Sequence, residues 1–361
     1  MAERSIVTVT PLKGISNGAR LLICTQSVDL DDPILGFFHR WIEELSKHCE
    51  KISVICLRQG RHSLPENVSV YSLHKEYGVS RIKYVFNFFR YIWKLRHDYD
   101  SVFVHMNQEY VFLGGNLWRI WGKRVVLWRN HKKGSFLTRL AGRYSHIVCY
   151  TSESAYVASF KNAIQMPIGI DTGLFKPDTS ADPRSILFLG RLDPIKNADV
   201  FVEALELLSD DGVGFTADIY GGPTHGNEKY AQAIRNKVAS PILNGHVRMH
   251  VGITHSHTPD IYRSHALYVN LTPSGSFDKT IGEAMASGLV VIVANESLRG
   301  VIADEFIAEA DSVESVRCAL QVALTLSEKR RSEIAKKSRV YILNEHSLPL
   351  LVQKLECVLF S

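Results

Sequence analysis

The sequence predicts an α/β protein built from two doubly wound domains, each a parallel sheet covered by helices. Short apolar runs alternate with helical patterns along most of the chain, and strands joined through helices form parallel sheets. The 361 residues exceed what one hydrophobic core usually serves. The alternation restarts after a proline-bounded segment at 166–177. We therefore expect domains at 1–170 and 171–344, with a final helix at 345–361 that packs back on the first domain.

Both halves of the chain repeat the same succession of elements. The spacing of Phe37, Phe38, Trp41, Ile42 and Leu45 gives the first helix one apolar face. The first-half elements are strands at 20–24, 51–57, 101–105, 124–127 and 147–150, with helices at 34–48 and 80–96. The second-half elements are strands at 185–189, 216–220, 247–251, 267–271 and 289–293, with a helix at 198–208. Such sheets bind ligands outside the carboxyl ends of their strands, so we expect a ligand cleft between two facing domains.

The composition is ordinary for a globular protein and narrows the class of ligand. Hydrophobic residues make up 45% of the chain, and no apolar run approaches the roughly 20 residues that span a bilayer. The net charge of +5 favours an anionic ligand or an anionic membrane surface and is too small to indicate nucleic acid. The six cysteines form no C-x-x-C pair, which favours buried thiols over disulfides or a zinc site. The N-terminal sequence lacks the apolar segment of a signal peptide. We expect a cytoplasmic protein, with the inner face of the membrane as an alternative location.

The stretch from Pro273 to Gly288 predicts a phosphate site. It reads P-S-G-S-F-D-K-T-I-G-E-A-M-A-S-G, a run of small and turn-forming residues that leads into a helix and then a buried strand. A loop on a helix N-terminus presents backbone N–H groups and a positive dipole end to a phosphate. Glu283, expected in the first turn, would repel phosphate but can accept hydrogen bonds from sugar hydroxyls. The stretch therefore indicates a ligand with both phosphate and hydroxyl groups.

Two cations follow the first strand of the second half. The strand ends at Gly190, and Arg191 and Lys196 come next, five residues apart. A guanidinium fork and an ammonium group can neutralise a diphosphate in the ground state and as a leaving group. An isolated pair with this spacing is more often two surface cations. Here the pair lies in the same domain as the predicted phosphate loop, which favours the functional interpretation.

These motifs resemble those of glycosyltransferase family 4, whose members are retaining transferases with the two-domain GT-B fold. The resemblance covers most of the chain from about 125 to 295 and depends on three motifs in order: P-I-G-I-D-T-G-L-F-K-P at 167–177, G-R-L-D-P-I-K-N at 190–197 and S-F-D-K-T-I-G-E-A-M-A-S-G at 276–288. It implies that Arg191 and Lys196 bind the donor diphosphate and that Glu283 holds the nucleotide ribose. The backbone from Phe277 to Thr280 would meet the phosphate and the transferred sugar. Gly190, Gly275 and Ser276 complete the expected donor site.

The chain departs from the family pattern at one point of the donor loop. The family commonly has two glutamates in E-x7-E spacing, and the position eight residues before Glu283 is Gly275. Asp278 and Lys279 stand where the family usually has small or apolar residues. Asp278 either takes over the hydroxyl contacts of the missing glutamate or caps the following helix. We favour the first interpretation, because the loop must line the site.

The resemblance also places a histidine of the first domain opposite the donor sugar. His131 follows the strand at 124–127 in W-R-N-H-K-K-G and is our third catalytic candidate, able to bond a sugar hydroxyl or the acceptor. The alternative is a solvated loop histidine. His105, at the end of the strand at 101–105, is a weaker candidate on the acceptor side.

The remaining acceptor candidates follow the first strand. They are Asp29, Asp32 and Gly36, and the aspartates either meet acceptor hydroxyls or cap the next helix. Asp29 and Asp31 spell D-x-D, which binds a metal in another transferase class. Since Arg191 and Lys196 already supply positive charge, we expect no metal and no other cofactor.

The segment at 80–96 is both basic and aromatic. It is either a helix that covers the core with its cations extended into solvent, or a helix attracted to an anionic membrane surface. We favour the first interpretation and keep a peripheral membrane contact as the alternative.

These observations together predict the function. We expect a retaining glycosyltransferase of the hexosyltransferase type, acting in cell-surface polysaccharide or glycoconjugate synthesis. It would move a sugar from a nucleoside diphosphate sugar to a hydroxyl of a glycan or lipid-linked acceptor. The alternatives are a nucleotide-sugar epimerase or hydrolase on the same fold, and a degenerate glycan-binding subunit without catalytic activity.

Overall fold

The structure, a computed structural model, describes residues 18–178, 181–275 and 277–361. The chain forms two compact units. The first runs through Gly169 and includes Leu348–Ser361, and the second is Ile170–Ser347. The sequence analysis placed this boundary at 170/171.

The first unit contains a parallel sheet of seven strands within its described residues. The order is β3-β2-β1-β4-β5-β6-β7, and every neighbouring pair is parallel. The order reverses between β1 and β4, as in dinucleotide-binding sheets. The strands are β1 Arg20–Val28, β2 Lys51–Gln59, β3 Val68–Ser72, β4 Ser101–His105, β5 Arg124–Trp128, β6 Ile147–Tyr150 and β7 Ala163–Gln165. The helices between them are α1 Phe37–Ser46, α2 Arg81–Lys94, α3 Gln108–Ile120 and α4 Phe136–Tyr144.

The second unit repeats the plan with a parallel sheet of five strands among the residues described. Its order is β10-β9-β8-β11-β12, with the reversal between β8 and β11. The strands are β8 Ser185–Leu189, β9 Thr216–Tyr220, β10 Val247–His250, β11 Leu267–Asn270 and β12 Val290–Val293. The helices are α5 Ala198–Asp210, α6 Glu228–Val238, α7 Thr258–Arg263, α8 Lys279–Ala286, α9 Val313–Leu324 and α10 Glu328–Tyr341.

The last helix, α11 Leu348–Phe360, packs on the first unit. Leu351, Val352 and Leu355 are buried in the same core as Trp41 of α1. At its end, the carbonyl oxygen of Leu359 accepts a hydrogen bond from Ser101 Oγ at 2.6 Å. The helix predicted at the end of the chain therefore closes one side of the first sheet.

Helix α2 covers the core with only part of its surface. Ser80 caps its N-terminus, and Phe88 and Ile92 are buried. Ile82 and Trp93 are 83% and 57% exposed. The favoured interpretation, a helix that covers the core, agrees with the buried face of α2, but the exposed apolar side chains on its other side were not predicted.

Two further features concern membranes and thiols. In the described ranges, no helix combines the length and the apolar character needed to cross a membrane. All six cysteines lie within these ranges and are free thiols, and Cys318 is the exposed one.

Candidate functional site

The predicted donor residues lie where the second sheet reverses its strand order. Gly190 follows β8, and the loop after it contains the short 3-10 turn Pro194–Lys196. Asn270 ends the neighbouring strand β11, and the loop after it leads into α8. Because β8 and β11 are paired in parallel, both loops leave the same edge of the sheet. This is the position where doubly wound sheets bind ligands.

Lys196 lies at the centre of a polar network between the two loops. Its Nζ donates to Thr272 Oγ1 at 2.9 Å and forms an ion pair with Asp278. Asp278 Oδ2 also accepts from Thr272 Oγ1 at 2.9 Å and from Asn270 Nδ2 at 3.1 Å. Asn270 Nδ2 lies 3.3 Å from Thr280 Oγ1. The network fixes the Lys196 ammonium at the start of α8.

The same contacts set the charge of Asp278. Burial acts to raise the pKa of this carboxyl, but the Lys196 charge and the hydrogen bonds outweigh it and lower the pKa below its usual value. Asp278 occupies the N-cap position of α8 without making a side-chain capping bond. The interpretation of Asp278 as a helix cap is therefore wrong, because its carboxylate turns to Lys196 instead.

Arg191 differs from Lys196 in its surroundings. It is exposed, and its guanidinium makes no hydrogen bond or ion pair with any residue that the structure describes. The two cations of this loop therefore differ in how far the surrounding side chains fix their positions. Lys196 is held in place by neighbouring side chains, whereas the five N–H donors of Arg191 are available to a ligand.

Glu283 lies deeper than the sequence predicts. Helix α8 begins at Lys279, so Glu283 is in its second turn rather than its first, and it is 3% exposed. Its Oε1 lies 3.0 Å from His255 Nε2, and its Oε2 accepts from the Tyr262 hydroxyl at 3.3 Å. Burial raises the pKa of Tyr262 well above its usual value, so the phenol stays neutral and donates.

His255 and Tyr262 are site residues that sequence reasoning missed. His255 lies in the 3-10 turn His255–His257, and Tyr262 is a fully buried residue of the following helix α7. A signal was present in the run T-H-S-H-T-P-D-I-Y at 254–262, which follows β10 as the other loops follow their strands. Their contacts with Glu283 join residues more than twenty positions apart in the sequence, so no local sequence pattern predicts them.

The rest of the donor loop shows why its residue types suit it. Gly275 has a φ of +139°, which a glutamate would adopt only with strain, so the backbone itself favours glycine here.

The start of α8 carries a lysine with a perturbed pKa. Burial lowers the pKa of Lys279 to about 7, although the negative charges of Glu283 and Asp171 act to raise it. The Phe277 ring packs edge-on against His346, with 5.2 Å between ring centroids. Ser276, also predicted to bind the donor, lies outside the described residues.

A close backbone approach shapes the loop after β8. A Cβ atom on Gly221 would lie 1.9 Å from the Gly190 carbonyl oxygen. The neighbouring Gly222 has open space around it, and its carbonyl oxygen accepts a hydrogen bond from Leu192 N at 2.9 Å. Glycine at 221 therefore allows the loops after β8 and β9 to pack together.

His131 lies on the loop between β5 and α4 of the first unit. It is exposed, and its Nδ1 lies 3.0 Å from the backbone nitrogen of Lys133. Arg129, from the same loop, donates to the Lys133 carbonyl oxygen at 3.3 Å. The loop thus presents a histidine and neighbouring cations at the carboxyl edge of the first sheet.

The structure corrects the acceptor predictions for two residues. His105 is 2% exposed and stacks on Phe38 with 3.9 Å between ring centroids, so it is a core residue and cannot meet an acceptor. Asp32 is buried and accepts hydrogen bonds from the backbone nitrogens of Ile34 and Leu35, both at 2.9 Å, and from Arg58 at 2.6 Å. The carboxylate of Asp32 therefore serves the turn before α1, as in the capping alternative.

Asp29 and Gly36 lie in the same turn. The Asp29 carboxylate accepts from the backbone nitrogen of Asp31 at 3.0 Å, and Gly36 is the buried N-cap residue of α1. Asp31, the other aspartate of the D-x-D pattern, forms two hydrogen bonds with Arg61, at 2.7 and 2.9 Å. Within the described part of the chain, no group of histidine, cysteine or acidic residues has the arrangement to hold a metal ion.

Comparisons with known proteins bear on the fold and the enzyme class. Residues 183–325 match the model of the family Glycosyl transferases group 1. The structure of HepE from Anabaena, solved with UDP, is similar with a TM-score of 0.74 at 15% identity, covering 93% of this chain and 98% of HepE. Sucrose-phosphate synthase from Thermosynechococcus elongatus gives 0.73 at 16% identity, covering 93% and 97%. A glycosyltransferase from Rickettsia africae gives 0.70 at 14% identity, covering 94% and 98%. A sequence comparison with curated proteins finds no match.

These likenesses confirm the predicted fold and enzyme class. The fold is GT-B, with two parallel sheets of seven and five strands in the described ranges. The family match at residues 183–325 falls within the unit that contains Arg191, Lys196 and Glu283. The chain is a glycosyltransferase.

Proposed function

We propose that this glycosyltransferase moves a sugar from a nucleoside diphosphate sugar to a hydroxyl of a glycan or lipid-linked acceptor, with retention at the anomeric carbon. The product would be a cell-surface polysaccharide or glycoconjugate. One observation carries the proposal: Arg191 and Lys196 follow β8 at the strand-order reversal of the unit that matches the group 1 family model, and Lys196 pairs with Asp278 at the start of α8. That edge offers a diphosphate two cations and a helix N-terminus.

Electrostatic stabilisation of the leaving group is the main contribution of these residues. The bond between the anomeric carbon and the β-phosphate oxygen breaks, and a bond to the acceptor oxygen forms on the same face. The acceptor proton passes to the departing diphosphate. Lys196 has three N–H donors and uses two on Thr272 and Asp278, so one is left for a phosphate oxygen. Groups fixed in this way stabilise developing charge without having to reorganise.

Glu283 is proposed to hold the ribose of the nucleotide. An ionised carboxylate accepts about four hydrogen bonds, and His255 and Tyr262 take two of them. Two acceptor positions remain for the pair of ribose hydroxyls. The two partners fix the carboxylate orientation, as an oriented contact to a diol requires.

The donor site is proposed to work without a metal ion. Arg191 and Lys196 supply the positive charge that a divalent ion supplies elsewhere.

HepE, similar in fold, was solved with UDP and glucose and with UDP-glucose. We therefore test uridine nucleotides first.

A ligand screen on the full chain tests the proposal. Thermal unfolding is followed with UDP, GDP, ADP and dTDP and with their common sugar conjugates, in magnesium and in EDTA. A nucleotide at a hundred times its Kd should add about 2.7 kcal/mol of stability. We expect one base to stand out, with equal shifts in EDTA.

Variants and products make the screen specific. Arg191→Gln should abolish most of the shift at unchanged basal stability, since Arg191 has no partner among the described residues. Arg235→Gln, at an exposed arginine of α6, is the matched control and should leave the shift unchanged. No shift with any nucleotide would favour a non-catalytic glycan-binding subunit. Sugar release or epimerisation without acceptor would instead show a hydrolase or epimerase. Nuclear magnetic resonance of the product tests retention.

A further inference from the structure

The first unit contains a large apolar cavity between α2 and α3, which we call the α2–α3 cavity. Its volume is about 800 Å³, in the range of small-molecule sites. It lies at the carboxyl ends of the strands, because Leu57 belongs to β2 and other lining residues follow β3, β4 and β5. The apolar lining includes Leu57, Leu73, Val85, Phe88, Leu113 and Leu137. The cavity therefore occupies a ligand-binding position and offers mainly hydrocarbon contacts.

Three cations line the otherwise apolar cavity. They are Lys75, Arg81 and Arg129, and Glu109 is the single acidic residue of the lining. Lys75 and Arg81 are exposed and form no ion pair within the described residues. The Nε of Arg129 is buried, and no described residue accepts its hydrogen bond. An unpaired buried donor is costly, and an anionic group in the cavity would remove that cost.

Backbone strain occurs at the same edge. Met106, which lines the cavity after β4, has a φ of +67°. A positive φ is energetically unfavourable for a non-glycine residue, and residues held in this conformation are concentrated at functional sites. Met106 is also exposed, so the ligand would meet it directly.

The surface around the cavity is apolar and basic. Phe86 is 66% exposed on α2, and Ile82 and Trp93, at helical spacing from it on the same helix, are also exposed. Monomeric soluble proteins rarely expose so many large apolar side chains together. The sequence of α2, R-I-K-Y-V-F-N-F-F-R-Y-I-W-K, has four cations and no acid. Apolar groups with a basic fringe favour an anionic lipid surface.

We propose that the α2–α3 cavity binds the hydrocarbon chain of a phosphate-bearing lipid whose head group carries the acceptor hydroxyl, drawn from an anionic membrane on which α2 lies. The chain contacts Phe88 and Leu113, and the phosphate pairs with Arg129 and Arg81. This inference rests on the proposed function, because it names the class of acceptor. It selects a lipid over a free glycan, because a free glycan has no hydrocarbon chain to fill an apolar cavity of this size.

Calorimetry with farnesyl phosphate tests the cavity in the full chain. Farnesol and inorganic phosphate each offer half of the recognised chemistry and should bind much more weakly. Arg129→Gln should weaken farnesyl phosphate binding by about tenfold to a hundredfold, the range for a lost hydrogen bond to a charged group. Leu113→Trp, which fills the cavity, should abolish binding of farnesyl phosphate and of farnesol. Farnesol and farnesyl phosphate binding equally, or neither binding, would overturn the proposal.

Flotation with vesicles tests the surface separately. The protein should float with phosphatidylcholine vesicles that contain phosphatidylglycerol and stay behind with pure phosphatidylcholine. Ile82→Ser with Phe86→Ser should abolish flotation and leave farnesyl phosphate binding unchanged, because both side chains are exposed and neither is part of the cavity lining. Val251→Ser, an equally exposed apolar residue of the second unit, is the control. Flotation that survives the double substitution would contradict the role of α2.

The outcomes separate this inference from the proposed function. A normal thermal response to a nucleotide, with no farnesyl phosphate binding, overturns the lipid site alone. Farnesyl phosphate binding without any nucleotide response overturns the proposed donor chemistry. Transfer of sugar to a soluble glycan but to no hydroxyl of a lipid-linked acceptor overturns the assignment of the acceptor.

Discussion

The two units share a strand order and differ in what lies at the carboxyl edge of their sheets. In the second unit, Lys196, Asp278 and Asn270 form a network of hydrogen bonds at that edge. In the first unit, the corresponding edge opens into a largely apolar cavity of about 800 Å³ whose lining includes three cations and one acidic residue. The fold thus determines where a ligand binds, and the loop residues determine which one.

The comparison also shows two ways to keep a cation ready for an anion. Lys196 is positioned by Asp278 and Thr272, at the cost of a neighbouring negative charge. Arg129 has a buried Nε without an acceptor among the described residues, so burial lowers the pKa of its guanidinium. We infer that the first arrangement favours catalysis, where position matters most. The second favours binding, because a ligand removes the cost of the unpaired group.

The largest effect is expected from the network of the second unit. Lys196→Gln should lower kcat by about 10²–10³, the usual loss when one group that stabilises the transition state is removed. It should also cost about 1–3 kcal/mol of stability, because Asp278 loses its charged partner. Steady-state kinetics and denaturant unfolding measure the two effects.

A second substitution separates catalysis from folding. Lys196→Gln with Asp278→Asn removes the unpaired charge and should regain most of the lost stability without regaining kcat. Turnover that returns together with stability would show that Lys196 is only structural. Near-normal turnover in the Lys196→Gln variant would show that Lys196 takes no part in the reaction.

The next effect concerns the loop that carries Arg191. Gly221→Ala should destabilise the protein by about 1–3 kcal/mol, because its Cβ would lie 1.9 Å from the Gly190 carbonyl oxygen and the backbone must move. It should also weaken nucleotide binding, since the displaced segment precedes Arg191. Gly222→Ala is the matched control and should change stability by less than about 0.5 kcal/mol, because its side chain would enter open space. Equal behaviour of the two variants would contradict the close approach.

The regular elements of both sheets could be predicted because they rest on local apolar patterns. Strands β4, β6, β8 and β9 have the predicted limits, and helix α11 lies within the predicted range 345–361. Strands β3 and β7 were missed, since one mixes serine with valine and the other has three residues. Helix α3 was missed because Gly114 and Gly115 read as a break. A Cβ on Gly115 would lie 2.9 Å from Tyr144, so glycine there allows α3 to pack on α4.

The motifs of the site could be predicted, but their contacts could not. The sequence places Lys196 and Asp278 in two loops, and only the parallel pairing of β8 with β11 brings them together across 82 positions. His255 reaches Glu283 in the same way. The α2–α3 cavity had no signal either, because an apolar helix face looks the same whether it is packed or exposed. Long-range contacts of this kind depend on the assembled sheet and not on any window of sequence.

The smallest effect follows from Lys279 and depends on pH. Burial lowers its pKa in the folded protein to about 7, while the unfolded chain keeps its proton to about 10.4. A diphosphate at the start of α8 would favour the charged amine, so binding should take up a proton. Affinity for UDP-glucose should therefore fall by up to about tenfold per pH unit above 7. The diphosphate of UDP-glucose does not titrate in this range, which makes it a better ligand than UDP for calorimetry between pH 6 and 8.5.

Lys279→Met provides the control and a second measurement. Its affinity should be lower at pH 6 and nearly independent of pH. Between pH 7 and 10 the unfolded wild-type chain binds more protons than the folded one, so the free energy of unfolding should rise with pH relative to that of Lys279→Met. A flat affinity profile in the wild type, together with this rise in stability, would mean that Lys279 titrates but lies away from the diphosphate. Arg191 and Lys196 would then be the cations that face the donor. The network around Asp278 would remain as the feature that distinguishes the carboxyl edge of the second sheet from that of the first.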